Sequence, residues 1–235
     1  MDGTPFEQLI NLVSTFRPKR NDDITKIIQK YPGILEQTNE SQATPLFYAT
    51  EGDHTITKLL LDSGADPNHK DDQGKTPLYS AVINDQPKIC EVLLDNGADP
   101  NHKDNQGKTP LHYACEFMNT GVVRLLLEHH AKPNHKDNQG KTPLHYATQG
   151  DPNIVRLLLK HGANPLIKDN SGNDPISIAT DQEILDLLHA RTIEIVDKTP
   201  PYLISQFLFG SRRSKRSKRR SKRSKRSRRS KRRKV

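Results

Sequence analysis

The stretch Asn101-His102-Lys103-Asp104-Asn105-Gln106-Gly107-Lys108-Thr109-Pro110-Leu111-His112-Tyr113-Ala114 returns without a change 33 residues later, from Asn134 to Ala147. A shorter mark extends this repeat backwards: Thr44-Pro45-Leu46, Thr76-Pro77-Leu78, Thr109-Pro110-Leu111 and Thr142-Pro143-Leu144 open successive units at offsets of 32, 33 and 33. Each opening is followed by a second apolar block, Leu59-Leu60-Leu61, Val92-Leu93-Leu94, Leu125-Leu126-Leu127 and Leu157-Leu158-Leu159, and then by a turn such as Gly97-Ala98-Asp99-Pro100-Asn101. A period near 33 residues reads as a solenoid, in which each unit buries its apolar face on its neighbours.

One unit, Thr109 to Lys141, carries its own folding instructions. Thr109 is placed to accept a bond from an orphan amide at a helix start, and Pro110 presets φ at the first helical position. Leu111 and Ala114 lie three residues apart on one face, a large and a small side chain that admit a close neighbour. Val122, Val123, Leu125, Leu126 and Leu127 make a second helix apolar over most of its circumference, so it must be sandwiched. Gly64, Gly97 and Gly162 fall just past second helices, where a left-handed residue ends a helix at little steric cost. Asp104-Asn105-Gln106-Gly107 reads as a tight turn projecting from the helices, with Gly107 free to take positive φ.

These residues resemble the ankyrin-repeat family, whose pattern has Thr-Pro-Leu-His and an alanine opening the unit, a Leu-rich second helix, and Gly-Ala-x-x-Asn leading into the hairpin. The resemblance implies an all-α solenoid of helix-turn-helix units with projecting hairpin loops. Four units are expected at 44–75, 76–108, 109–141 and 142–173. Gly3-Thr4-Pro5-Phe6 and the run Ile24 to Ile28 suggest a degenerate N-terminal unit over 1–43, although 40 residues separate Thr4 from Thr44. Asp174-Pro175-Ile176-Ser177-Ile178-Ala179 with Ile184, Leu185, Leu187 and Leu188 suggests a C-terminal cap over 174–198. An apolar linker, 199–210, and a basic tail, 211–235, follow. Three departures from the pattern stand out: His130 occupies a glycine stop position, Leu166 replaces the Asn of its neighbours, and the first and fourth full units are one residue shorter between their helices.

The formal charge of +9 divides unevenly. Residues 211–235 hold 17 of the 37 Lys and Arg and no acidic residue; the 20 remaining bases face all 28 acids, which leaves 1–210 at −8. An acidic body carries a polycationic tail. Two cysteines, Cys90 and Cys115, are too few for a disulfide framework. Met1-Asp2-Gly3 lacks the basic start of a secretory signal, and the apolar patch Tyr202 to Phe209 is far short of the roughly 20 residues of a membrane span. A reducing intracellular setting is expected, in which the sequon Asn39-Glu40-Ser41 is a chance match.

No reaction can be assigned. Gly74-Lys75-Thr76, Gly107-Lys108-Thr109 and Gly140-Lys141-Thr142 resemble the end of a P-loop, but that loop needs a glycine five positions earlier, where His69, His102 and His135 stand. The same histidines recur one unit apart, about 8 to 10 Å by helix packing, too far to share a zinc ion bound at about 2 Å. A turn-edge or surface role is expected of them, and a structural hydrogen-bonding role, implied by the resemblance, of His112 and His145. Cys90 and Cys115 read as small packing residues. No cofactor or metal is expected, and the chain is expected to be a monomeric, non-enzymatic binder.

In the ankyrin family, partners usually meet the hairpin tips and first helices of several units. Here the tips are nearly uniform: Asp71-Asp72-Gln73-Gly74-Lys75, Asp104-Asn105-Gln106-Gly107-Lys108 and Asp137-Asn138-Gln139-Gly140-Lys141. Variation concentrates where first helices end, at Glu51, Ile83, Asn84, Glu116, Phe117, Met118 and Gln149. These are the candidate partner-binding residues, with Phe117 and Met118 as apolar anchors. The alternative is that unit duplication left the tips alike and that Phe117 packs inward.

The tail is low in complexity and expected to be disordered alone. Ser214, Ser217, Ser221, Ser224, Ser227 and Ser230 each follow an arginine and are candidate phosphorylation sites. Lys231-Arg232-Arg233-Lys234 resembles a monopartite nuclear localisation signal, which makes a nuclear import receptor one candidate partner and the nucleus the expected place in a eukaryotic cell. The same charges suit nucleic acid through counterion release, or, with Tyr202 to Phe209, an anionic membrane surface. The Arg-Ser pairs resemble those of splicing-related proteins, though Lys interrupts the alternation. The function expected is an adaptor that holds a protein on the concave face that the resemblance implies for its repeats and is placed by its tail. The alternatives are a nucleic-acid-binding protein acting through the tail, and a membrane-associated adaptor or effector of an intracellular microbe.

Overall fold

The structure, a computed structural model, describes residues 3–15 and 20–198, and every regular element among them is a helix. The expectations for 199–210 and 211–235, including Lys231 to Lys234 and the six serines, lie outside the described residues. In chain order the helices are α1 (Pro5–Ser14), α2 (Arg20–Lys30), a 3-10 helix (Pro32–Glu36), α3 (Pro45–Ala49), α4 (His54–Asp62), α5 (Pro77–Ile83), α6 (Pro87–Asp95), α7 (Pro110–Glu116), α8 (Thr120–Glu128), α9 (Pro143–Ala147), α10 (Pro152–Lys160), α11 (Pro175–Ile178) and α12 (Gln182–Lys198).

From α3 to α10 the helices form the four pairs that the repeat requires. First helices stack in the order α3, α5, α7, α9 and second helices in the order α4, α6, α8, α10. Each first helix starts with proline after an extended threonine. Leu46, Leu78, Leu111 and Leu144 are fully buried between pairs, and Ala49, Ala81, Ala114 and Ala147 leave room for the adjacent helix. Ile56 with Leu60, Ile89 with Leu93, Val122 with Leu126 and Ile154 with Leu158 fill the second layer. Each such side chain contributes about 1.5–3 kcal/mol by leaving water, and none could do so within a lone unit.

Glycine ends three of the second helices as expected: Gly64, Gly97 and Gly162 sit at φ 97°, 87° and 88°. His130 adopts the same left-handed conformation at φ 64°, a strained choice for a side chain with a β-carbon.

At two of the four openings the threonine takes its expected part in a capping box, shared with the histidine three residues on. At Thr109 and Thr142 the histidine ring makes the cap: Nδ1 of His112 accepts the Thr109 N–H at 3.0 Å, and Nδ1 of His145 accepts the Thr142 N–H at 3.1 Å. The hydroxyls lie 2.9 Å from the same nitrogens. A ring that accepts at Nδ1 holds its proton on Nε2, where it meets the carbonyl of Lys141 at 3.2 Å or of Asn173 at 3.3 Å in the next unit. Phe47 and Tyr79 stand where the other units have histidine, and the buried hydroxyls of Thr44 and Thr76 then find no partner among the described residues. Tyr79 restores the link forward through its own hydroxyl, 2.8 Å from the Lys108 carbonyl.

At the N-terminal end, Thr4 and Glu7 form a capping box on α1, and α1 packs on α3. Residues 39–43 repeat the hairpin pattern without its glycine. The Asn39 N–H donates to the Ala43 carbonyl at 3.2 Å, and Gln42 at φ 60° donates to the Asn39 carbonyl at 3.0 Å. The Asn39 side chain of the sequon is part of this turn, accepting from the Ser41 and Ala43 amides. At the other end Asp174 replaces the opening threonine and caps α11 with Ser177, and Ile184 and Leu188 of α12 are buried. A second compact unit begins at Ala190; its described residues, 190–198, continue α12, with Arg191 donating to Glu194 at 2.7 Å.

Candidate functional site

Each full unit presents two loops, a hairpin and the elbow between its helices. The hairpins hold themselves closed: the Asp104 carboxylate accepts from the Gln106 and Lys108 amides, both at 2.9 Å, and from the Tyr113 hydroxyl at 2.7 Å. Asp137 repeats this with Gln139, Lys141 and Tyr146. Burial and the facing aspartates raise the pKa of Tyr113 and Tyr146, which stay protonated donors.

The tips are also bonded to one another. Asn105, Asn138 and Asn170 each donate a backbone N–H to Gln73, Gln106 and Gln139 of the preceding hairpin at 2.9–3.0 Å. Their side-chain amides donate to the Asp72, Asn105 and Asn138 carbonyls at 3.1, 3.1 and 2.9 Å. Asp72 donates its N–H in turn to the Ser41 carbonyl at 3.0 Å. A second line of asparagines runs beside it: Asn68, Asn101 and Asn134 bridge to the carbonyls of Gly97, His130 and Gly162. Leu166 ends that line. The uniform tips therefore have a structural cause, and sequence reasoning missed it.

His69 and His102, expected at the turn edge, bond to the carbonyls of Gln42 and Gly74 in the preceding hairpin at 3.1 and 2.9 Å. Buried Nδ1 of His135 has no partner among the described residues, and burial lowers the pKa of that ring. Cys90 and Cys115 are buried. Burial pushes the Cys90 thiol up to about 12 and raises Cys115 as well, which keeps both out of thiolate chemistry at neutral pH.

The elbows are where the candidate residues gather. Glu51 follows α3, Ile83 ends α5 with Asn84 next, Glu116 ends α7 with Phe117 and Met118 next, and Gln149 follows α9; all seven are exposed. Phe117 is 50% exposed, so the inward-packing alternative does not describe it. Its ring stacks on Tyr113 at 6.4 Å between centres. The extra residue of the second and third full units appears here as seven-residue first helices, against five in the first and fourth, and as left-handed Asp85 and Met118 at φ 49° and 60°.

Adjacent elbows are coupled. Asn119 donates to the Val82 carbonyl at 2.8 Å, Thr120 to the Asp151 carboxylate at 3.0 Å, and Gln149 to the Ile178 carbonyl at 3.2 Å. Between elbow and hairpin, Glu116, Lys141, Tyr146, Gln149, Asn170 and Ile178 line an open groove of about 840 Å³. Glu116 is fixed there by the Lys108 ammonium at 2.6 Å. That ammonium also lies 4.9 and 4.7 Å from the ring centres of Tyr113 and Tyr146, within cation–π range.

Among the described residues no group of three or more His, Cys, Asp or Glu could hold a metal ion. No helix among them is long and apolar enough to cross a membrane.

The family model described as ankyrin repeats (3 copies) matches residues 17–104, 96–169 and 135–199. The chain belongs to the ankyrin-repeat family. It is similar to a putative ankyrin repeat protein of Acanthamoeba polyphaga mimivirus, 42% identical over 65 residues, which are 26% of this chain and 8% of that one. It is also similar to ankyrin repeat domain-containing protein 46 of Rattus norvegicus and of Mus musculus, 43% identical over 56 residues in each case, 23% of this chain and 25% of theirs. The matches thus span a quarter or less of these relatives' length. Ankyrin repeats are a protein–protein interaction module, and the typical ankyrin-repeat protein is a non-enzymatic adaptor. This ankyrin chain offers hairpins spent on their own ladder and elbows whose side chains differ from unit to unit.

Proposed function

We propose that the protein is an adaptor that selects its partner through the elbow row Glu51, Ile83, Asn84, Glu116, Phe117, Met118 and Gln149, and that residues 211–235 are a nuclear-localisation or polyanion-binding segment that directs the complex to an import receptor or to a polyanion. The observation that carries the first half is the exposure of Phe117 and Met118, which follow directly on Glu116, a lining residue of a groove whose other side is the hairpin ladder. Such an apolar pair gains from being covered. The test is capture of crosslinked proteins by the full chain and by a Phe117→Ser, Met118→Ser variant in the same cells. A partner retained by the first and lost by the second supports the reading; an unchanged set of partners contradicts it.

Support for the second half is the charge of +17 in 25 residues, a density that favours anionic ligands at low salt. Six phosphates at the Arg-preceded serines would each bring about −1.5 to −2 and offset half or more of that charge. Fluorescent fusions of the full chain, of a chain ending at Gly210 and of a chain with Glu at Ser214, Ser217, Ser221, Ser224, Ser227 and Ser230 test it. Nuclear accumulation lost on truncation and weakened by Glu supports the address, and identical distribution of all three contradicts it.

A further inference from the structure

We infer that the elbow row takes a basic peptide segment that carries an apolar side chain, which seats on Phe117 and Met118 while its Lys or Arg neighbours face the flanking carboxylates. This rests on the docking reading above and adds the chemistry of the partner.

The apolar half comes from geometry. Phe117 is backed by the Tyr113 ring, and Tyr113 is itself pinned to Asp104, so the exposed ring face is held rather than mobile. Met118 is 53% exposed and lies over Gly150, where an added β-carbon would come 2.8 Å from its sulfur. The two side chains and the bare glycine make an open shelf. Met118 holds a left-handed φ of 60°, which a residue with a β-carbon rarely adopts, and at this exposure its side chain recovers little of that strain by burial.

Charge supplies the other half. The elbow residues 51–53, 84–86, 117–119, 149–151 and 180–182 include Glu51, Asp53, Asp85, Asp151 and Asp181, and neither Lys nor Arg. Asp53 is spent on Arg20 and on the Thr55 amide, and Asp151 on Thr120 and the Asn153 amide. Glu51 and Asp85 stand exposed. Neighbouring units are about 8–10 Å apart, close to the Debye length of about 8 Å at physiological salt. Exposed charges at that spacing are largely screened from one another, so a bound segment meets the elbow carboxylates one at a time, each locally, within a body of net −8. An acidic segment, or nucleic acid, would meet repulsion there, whereas a basic one is steered in.

Fluorescence anisotropy with the full chain tests this with three short labelled peptides: Lys and Arg around a Leu-Phe pair, the same with Glu for every cation, and the cationic one with Ser for the apolar pair. The first is expected to bind. Its affinity should fall about tenfold or more in Phe117→Ser, Met118→Ser, as for loss of an apolar anchor. It should fall severalfold, with a shallower salt dependence, in Glu51→Gln, Asp85→Asn. All these positions are exposed, and thermal unfolding at the wild-type temperature shows each variant folded. Tighter binding of the Glu peptide that still depends on Phe117 overturns the basic assignment and leaves the docking reading standing. Binding of the cationic peptide that ignores both variants, or no binding, overturns the site. Self-association of the chain that disappears in Phe117→Ser, Met118→Ser assigns the surface to a second copy and overturns a separate partner.

Discussion

The side-chain oxygen of Asn138 stands 2.5 Å from where a β-carbon on Gly107 would lie, and Gly107 itself is at φ 74°. Two hairpins thus meet through an asparagine that only glycine admits. Gly107→Ala should destabilise the chain by more than the left-handed backbone cost of about 1–2 kcal/mol, because Asn138 must also leave the ladder. Gly97, at φ 87°, has no atom within 4 Å of its would-be β-carbon, so Gly97→Ala should show the backbone cost alone. Urea unfolding of the two variants makes the comparison; equal losses would mean that the close approach carries no energy.

His130 provides the opposite experiment. It holds φ 64° where three other units have glycine, and its carbonyl, which accepts from Asn101, survives substitution. His130→Gly should raise stability by about 1 kcal/mol, seen as a higher unfolding midpoint. An unchanged or lower midpoint would show that the ring repays its strain.

Acid should loosen the stack through its two capping histidines. Burial lowers the pKa of both, that of His112 to about 4, and each ring uses a bare Nδ1 to accept a threonine amide. Below the ordinary histidine pKa of about 6.5 the unfolded chain binds protons that the folded chain refuses. Their contribution is therefore complete above about pH 6.5 and lost as pH falls, with the loss from His112 complete only below about pH 4, to a total of about 3 kcal/mol for that ring. Unfolding between pH 7.5 and 4.5 should show a shallower pH slope in His112→Gln than in wild type; parallel slopes would contradict the cap.

Leu126 is fully buried in α8, between α6 and α10. Leu126→Ala should cost about 2–5 kcal/mol, and wild-type thermal stability in that variant would place the side chain outside the inter-unit layer.

The repeat made the helix pairs and the left-handed glycines legible, since Leu111, Ala114 and Gly97 recur at a period that only stacking satisfies. The hairpin ladder was hidden because Asn105 and Asn138, read singly, look like ordinary turn residues. Their partners lie one unit away, and nothing in a local window distinguishes a bonded amide from a solvated one. The hairpin at 39–43 escaped for a related reason: Gln42 takes a conformation that sequence reading reserves for glycine. The longer α1 and α2 also stretched the spacing from Thr4 to Thr44. The histidine cap was masked by Thr109, an equally good capping residue three positions earlier. At the elbow, the one-residue difference in unit length was visible, but whether Phe117 turned in or out depended on the Tyr113 ring beneath it.

Hydrogen exchange of the full chain, free and bound to its crosslinked partner, tests the central claim most directly. Both sets of amides are bonded in the free chain, those of Asn84, Phe117 and Asn119 within their own units and those of Asn105 and Asn138 across hairpins; partner binding through the elbows predicts slower exchange at residues 83–84 and 116–119 with Asn105 and Asn138 unchanged. Protection confined to the hairpins, with the Phe117 and Met118 amides exchanging as in the free chain, would contradict it.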